Sequence, residues 1–166
     1  MRRMDRAVTD NEHIKSIIEQ AKVVHIGMID NDRPYVVPMQ YGFVFDDGKL
    51  TLYVHCAKEG RKLDIIKKNP CVFIELETNV AIISGGDVPC KYGSEYASVM
   101  GDGIASIVED ISEKIFGLQL MMKTQSDRDF EISEQMTKAV TVLRIDVPCI
   151  TAKSRQTHQP SSHHRE

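Results

Sequence analysis

The stretch Tyr53 to Asp64, YVHCAKEGRKLD, gathers the most chemically capable residues of this chain. A strand-like run ends in His55-Cys56, Ala57 follows, and Gly60-Arg61-Lys62 opens a charged amphipathic segment. A helix start leaves its first N–H groups without intrahelical partners and carries about half a positive charge. An Arg–Lys pair placed there makes an anion site, most naturally for a phosphate. Gly60 lets the chain come close to such a ligand. The same Arg61, Lys62, Lys67 and Lys68 also fit the solvated face of an amphipathic helix, and the pattern alone leaves both readings open. His55, at the strand end before that site, suits a general acid, a proton relay or a hydrogen-bond donor to a ring. It equally suits a histidine that satisfies a backbone carbonyl. Cys56 reads better as a small hydrophobe than as a nucleophile, because no Cys–His–carboxylate arrangement is visible.

Other catalytic signatures are absent. The chain contains no GxGxxG, no GxxxxGK[ST], no GxSxG and no HExxH, so dinucleotide-fold, Walker, serine-hydrolase and zinc-protease readings lack support. Ser84-Gly85-Gly86-Asp87 is turn chemistry. The four cysteines, Cys56, Cys71, Cys90 and Cys149, never come within a CxxC spacing, so no metal site is expected. His163-His164 near the end is too small a scrap to change that. His25 alternates with Val24 and Ile26 and faces away from them. With 21 Lys and Arg against 24 Asp and Glu, the net charge of -3 disfavours a dedicated nucleic-acid binder.

The elements that must position these residues fit one domain. The chain has 166 residues, 42% of them hydrophobic, which is enough for a core without disulfide staples. Scattered cysteines and the absence of a signal-like or membrane-spanning apolar run lead to a cytoplasmic expectation, with no membrane partner. Thr9 and Asp10 cap a helix with Ile14, Ile17, Ile18 and Ala21 on one face. Lys22 to Asp30 reads as a strand, Asn31 to Pro34 as a turn, and Tyr35 to Phe45 as a second strand. Pro38 interrupts it, so it must be an edge or bulged there. Asp46-Asp47-Gly48 turns into Leu50 to His55, completing a three-stranded meander. A helix over 58–69 stops at Pro70. Cys71 to Glu77 is a strand, 79–93 is mostly loop with a short strand at Val80 to Ile83, and Tyr96 to Val108 is a long strand bent at Gly101 and Gly103. Asp110 caps a helix with Ile111, Ile115, Leu118 and Met122 on one face. A short helix near Ser133 to Lys138 and a last strand, Thr141 to Val147, complete the domain. The simplest closure is a small, mainly β barrel with peripheral helices. Residues 1–152 form the domain, and 153–166 read as a polar, disordered tail.

The ordered set Pro34-Tyr35-Val36-Val37-Pro38-Met39-Gln40-Tyr41-Gly42, Asp47-Gly48, Leu52-Tyr53-Val54-His55, Gly60-Arg61-Lys62 and Asn69-Pro70-Cys71-Val72 resembles the pyridoxamine 5'-phosphate oxidase-like flavoproteins. Within that group it is most similar to the nitroimidazole-resistance (Nim) proteins. Met1-Arg2-Arg3-Met4-Asp5-Arg6, Tyr96-Ala97-Ser98-Val99-Met100-Gly101 and Glu113-Lys114 fit the same likeness, which covers about residues 1–152.

The resemblance implies a split β-barrel homodimer with FMN at the subunit interface. Arg61 and Lys62 would hold the FMN phosphate, with Gly60 beside them. Val37, Pro38, Met39 and Gln40 would run along the isoalloxazine. His55, Cys56 and Ala57 would border the flavin, His55 as the reaction-site residue. Ser98 would approach from the partner subunit. The implied activity is an FMN-dependent oxidoreductase that reduces a small nitroaromatic such as a 5-nitroimidazole, supplied by a transient nicotinamide or other electron donor. The alternatives are a non-catalytic FMN carrier or sensor, a pyridoxamine phosphate oxidase-like enzyme, and a haem-handling member, in which tail histidines such as His158, His163 and His164 would assist. The chain has no Trp, and nothing from Ala152 to Glu166 matches the C-terminal Trp and Arg residues of the B6 oxidases, which argues against vitamin B6 oxidation. Where Nim proteins commonly carry Gly-Lys near the end of the last strand, this chain has Ala152-Lys153.

Overall fold

The computed structural model describes residues 3–155. Eight antiparallel strands form one sheet: β1 (Ala7–Val8), β2 (Val24–Asp30), β3 (Arg33–Met39), β4 (Gly42–Asp46), β5 (Lys49–Cys56), β6 (Cys71–Ile83), β7 (Gly93–Ile107) and β8 (Thr141–Arg155). Their order is β3-β2-β6-β7-β8-β5-β4, and β1 pairs with β8. The helices are α1 (Asn11–Gln20), α2 (Arg61–Lys68), α3 (Ile111–Ser126) and the short α4 (Glu134–Thr137). The Asp10 carboxylate accepts from the His13 N–H, and the Asp110 carboxylate accepts from the Glu113 N–H, so both predicted helix caps form.

The run expected to be one strand of a meander is two strands. β3 and β4 are separated only by Gln40 and Tyr41, yet they occupy opposite ends of the sheet. Three residues reach about 10 Å at most, so the sheet must curl until its two edges lie close together. The barrel is therefore split rather than closed: β3 and β4 do not pair with each other. β3 is the edge strand that Pro38 requires, and Pro38 sits in register with His25 without ending the strand. The chain crosses between edges two residues later.

Two other expectations are corrected. Val80 to Ile83 is not a separate strand but the far part of β6, beyond an irregularity between Thr78 and Ala81 where Asn79 has φ 56°. β8 runs on through Arg155, so Lys153 and Ser154 pair with Ser98 and Ala97 rather than beginning a disordered tail. The remainder of that tail, including His158, His163 and His164, lies outside the described residues. The bend in β7 falls where expected, as a register shift between Asp102 and Ile104.

The main core cluster brings two helices against the sheet, and a smaller cluster of Tyr53, Val108 and Val142 lies apart from it. Ile14, Ile17 and Ile18 of α1 join Leu63, Ile65 and Ile66 of α2 and inward side chains such as Ile26, Leu52, Ile74, Leu76, Val99 and Ile145. α3 packs outside, on β4 and β5. Its buried positions are Gly117 and Met121, not the expected face of Ile111, Ile115, Leu118 and Met122, and Ile111 is exposed. Close approach sets this rotation. A Cβ on Gly117 would lie 2.6 Å from the Tyr53 ring, and one on Gly42 would meet the backbone at Leu120 and Met121. Helix and sheet touch through two glycines, and the larger apolar side chains flank that contact.

Candidate functional site

α2 begins at the Gly60-Arg61-Lys62 step, three residues later than the 58–69 span expected for the helix. Gly60 is its N-cap, with φ 139° and ψ 163°, a conformation that only glycine adopts without strain. A Cβ there would meet no atom within 4 Å, so Gly60 serves backbone direction and leaves open space before the helix. The Leu63 and Asp64 N–H groups donate back to the Gly60 carbonyl. The N–H groups of Arg61 and Lys62 are those that a helix start leaves without an intrahelical acceptor. Lys62 is half-buried and has no hydrogen-bond or ion-pair partner among the described residues.

Arg61 is held from two sides. Its Nε donates to Asp30 Oδ2 at 2.8 Å, and its guanidinium carbon lies 4.4 Å from the centroid of the Tyr35 ring. Asp30 closes β2, and Tyr35 lies on β3 opposite Met28. The turn between these strands is Asn31-Asp32, both with positive φ (47° and 65°), as a two-residue hairpin of the favoured hand demands. The Asn31 side-chain amide donates to Asp30 Oδ1 at 3.1 Å, so both oxygens of Asp30 are engaged. The sequence gives no site role to Asp30, nor to Tyr35, although Tyr35 lies within the 34–42 motif. The available signal was an acid at a strand end just before a turn.

His55 and Cys56 end β5 opposite Val142 and Thr141 of β8. β4 pairs with β5 only as far as Tyr53, so among the described residues this end of β5 has no strand neighbour on that side. The His55 side chain is exposed and makes no hydrogen bond or ion pair among the described residues. Cys56 is buried. Burial pushes its thiol pKa up, and the nearby Lys62 charge only partly opposes this. Such a thiol stays protonated near neutral pH, which fits the small-hydrophobe reading. Ala57 and Gly60 are exposed and lead into α2.

Val37, Pro38, Met39 and Gln40 follow the free edge of β3 and its exit, with Pro38 and Gln40 exposed and Val37 and Met39 half-buried. Ser98 is elsewhere in the chain. It is buried on β7 between Glu77 and Lys153, one residue beyond the pairs that join Val99 to Leu76 and Leu76 to Val24. Val24 is six residues from Asp30 along β2, about 20 Å of strand. The fold thus gathers His55, Cys56, Gly60, Arg61 and Lys62 around the start of α2. It strings Val37 to Gln40 along one edge and keeps Ser98 apart from the Arg61 of its own chain.

A second polar group under α3 was not anticipated. The Tyr53 hydroxyl donates to Glu113 Oε1 at 3.0 Å, and Arg144 bridges Glu113 and Asp146 at 3.3 and 2.9 Å. It ties α3 to β5 and β8. Among the described residues, no group of three His, Cys, Asp or Glu side chains is arranged to hold a metal ion.

Residues 10–154 match the sequence profile of pyridoxamine 5'-phosphate oxidase. The chain belongs to the pyridoxamine 5'-phosphate oxidase family. This agrees with the resemblance carried by the 34–42 and 60–62 motifs. Among solved structures, this family member is similar to a candidate 5-nitroimidazole antibiotic resistance protein from Bacteroides thetaiotaomicron. Identity is 30%, coverage is 89% of this chain and 86% of that one, and the TM-score is 0.75. A flavocytochrome from Azotobacter vinelandii shares the fold at 19% identity, covering 95% of this chain and 72% of that one, with a TM-score of 0.74. A protein from Mycobacterium smegmatis that binds FAD and haem does so at 11% identity, 92% and 74% coverage and a TM-score of 0.76. No curated protein matches the chain. This member of the oxidase family thus has flavin- and haem-binding neighbours in fold. Among its described residues no helix is long and apolar enough to cross a membrane.

Proposed function

We propose that this chain is an FMN-binding oxidoreductase that reduces a small aromatic oxidant of the nitroimidazole type, working as a homodimer with FMN at the interface. The observation that carries the reading is the start of α2. There two helix N–H groups, the uncompensated Lys62 and the two terminal nitrogens of Arg61 belong to one turn. This donor set suits a phosphate monoester: a planar fork, a point charge and backbone donors at the positive end of a helix. The 30% identity to the candidate 5-nitroimidazole resistance protein supports the choice of oxidant.

FMN, when bound, supplies the two-electron chemistry. The residues supply binding, orientation and a proton. Arg61 and Lys62 neutralise the phosphate. The exposed edge of β3 offers, at Val37 to Gln40, backbone groups free to meet the polar rim of a flavin ring. His55, exposed and without a hydrogen-bond partner among the described residues, stands at the strand end where an oxidant would be reduced and would pass it a proton. Cys56, a protonated thiol, packs beneath it and takes no part as nucleophile. Ser98 reaches the cofactor only from the partner subunit, in keeping with its distance from Arg61 within one chain. The electron donor, nicotinamide or another, binds transiently.

The test begins with the visible spectrum. Purified protein is expected to be yellow with absorbance near 450 nm, and colourless protein that rejects added FMN refutes the proposal. Arg61→Ala with Lys62→Ala is expected to weaken FMN binding at least tenfold, since a hydrogen bond to a charged group contributes roughly 1.5–3 kcal/mol. Anaerobic reduction followed by a nitroimidazole then separates an enzyme from a carrier. An enzyme is reoxidised faster by the nitroimidazole than by buffer, and His55→Ala slows that step while the flavin spectrum persists.

A further inference from the structure

We propose that Asp30 and Tyr35 are positioning residues that hold the Arg61 fork ready for a phosphate monoester, and so set a preference for FMN over phosphate-free flavin. The inference rests on the phosphate reading of Arg61 given above.

The Arg61 side chain is 57% exposed, and an arginine that exposed ordinarily samples many rotamers. Here one nitrogen is already engaged and the guanidinium carbon is seated over an aromatic ring. Nε donates to Asp30 Oδ2 at 2.8 Å, and the guanidinium carbon lies over the Tyr35 ring, 4.4 Å from its centroid. The holder is itself held. Asn31, the first residue of the tight β2–β3 turn, occupies the other oxygen of Asp30. Engagement through Nε leaves Nη1 and Nη2, the pair that forms a bidentate grip on phosphate oxygens. A lysine at this position would lack both the stack and the second donor edge.

Asp30 also carries a negative charge close to where the phosphate would sit, so its two effects on binding oppose each other. Positioning spares the ordering of a long side chain, and repulsion acts against the anion at a surface where solvent screens it. The proposal commits to positioning as the larger effect.

The experiment compares the affinities of FMN and riboflavin, followed by quenching of flavin fluorescence, in the full chain and in Asp30→Asn, Asp30→Glu, Tyr35→Leu and Arg61→Ala. Asp30→Asn and Tyr35→Leu are each expected to weaken FMN about threefold to tenfold, the worth of ordering one rotamer-rich side chain. Riboflavin affinity is expected to hold within about twofold, and Asp30→Glu to recover part of the loss. Parallel loss of FMN and riboflavin, or FMN bound as tightly or more tightly by Asp30→Asn, overturns the inference. If Asp30→Asn does not fold, Tyr35→Leu alone decides in the same way. An FMN-to-riboflavin ratio unchanged in Arg61→Ala would instead refute the phosphate reading beneath it. Loss of the ratio in Arg61→Ala but not in the Asp30 and Tyr35 variants removes only the positioning role.

Discussion

His55 and Cys56 are neighbours on one strand and have opposite environments, because successive side chains of a strand point to opposite faces. The imidazole meets solvent and the thiol enters the core. In the proposed function that alternation leaves the proton role to His55 and packing to Cys56. Burial raises the Cys56 pKa above that of the unfolded chain. As pH rises, the unfolded state loses its thiol proton first, so stability from this group is intact below the ordinary thiol range near 8.5 and fades above it. Unfolding by urea is therefore expected to show a steeper loss of stability between pH 7.5 and pH 9.5, as approximate bounds, in the natural chain than in Cys56→Ala. Thiol reagents followed by peptide mapping supply an independent readout at the same pH. Cys56 is expected to stay unmodified until denaturant is added, and rapid labelling of Cys56 in the folded protein contradicts this assignment.

Elements here are joined by single residues placed where chains cross. Tyr41, in the two-residue passage from β3 to β4, is fully buried. Its hydroxyl reaches the Ile18 carbonyl at 2.6 Å and the Ala21 carbonyl at 2.8 Å, at the C-terminal end of α1. The Ile18 carbonyl is among those a helix end leaves without partners, and Ala21 is the extended C-cap that follows. The Tyr41 carbonyl in turn accepts from the Gln125 side chain of α3 at 2.9 Å. One residue thus ties α1, α3 and both edges of the split. Tyr41→Phe keeps the ring but strips the donor from buried carbonyls, at an expected cost of about 1–3 kcal/mol. Each kcal/mol lowers the melting temperature of a domain this size by roughly 2–4 °C. The exposed Tyr92→Phe is the control and should melt like the natural chain. Equal melting of Tyr41→Phe would show that the carbonyls find other donors.

At the scale of the whole molecule, the outer face of β2, β3, β6 and β7 carries a group of exposed apolar side chains. Ile29, Val36, Phe73 and Ile104 are 45–57% exposed there. Val36, Gly27 and Phe73 lie in register across three strands, and Gly27 leaves a shallow apolar cleft of about 280 Å³ between the two larger side chains. Contiguous apolar surface of this kind marks an interface, and the proposed homodimer supplies one. Phe73→Asp is expected to convert a dimer to monomers in sedimentation and to weaken FMN binding with it. A Phe73→Asp protein that still sediments as a dimer places the interface elsewhere.

Local chemistry made much of this readable in advance. The Asp10 and Asp110 caps, the helix start at Gly60-Arg61-Lys62, the edge placement of Pro38 and the bend in β7 follow from rules that act within a few residues. The ordered motifs led to the family for the same reason, since each is a short run with its own backbone demands. The separation of β3 from β4, the rotation of α3 onto Gly117, the pin at Tyr41 and the holding of Arg61 by Asp30 and Tyr35 were not readable in that way. Each joins residues far apart in the chain, and strand partners and close backbone approaches are selected by packing the entire core at once. The phosphate-suited fork was therefore visible in the order of residues, while the groups that aim it became visible only once the strands had been paired.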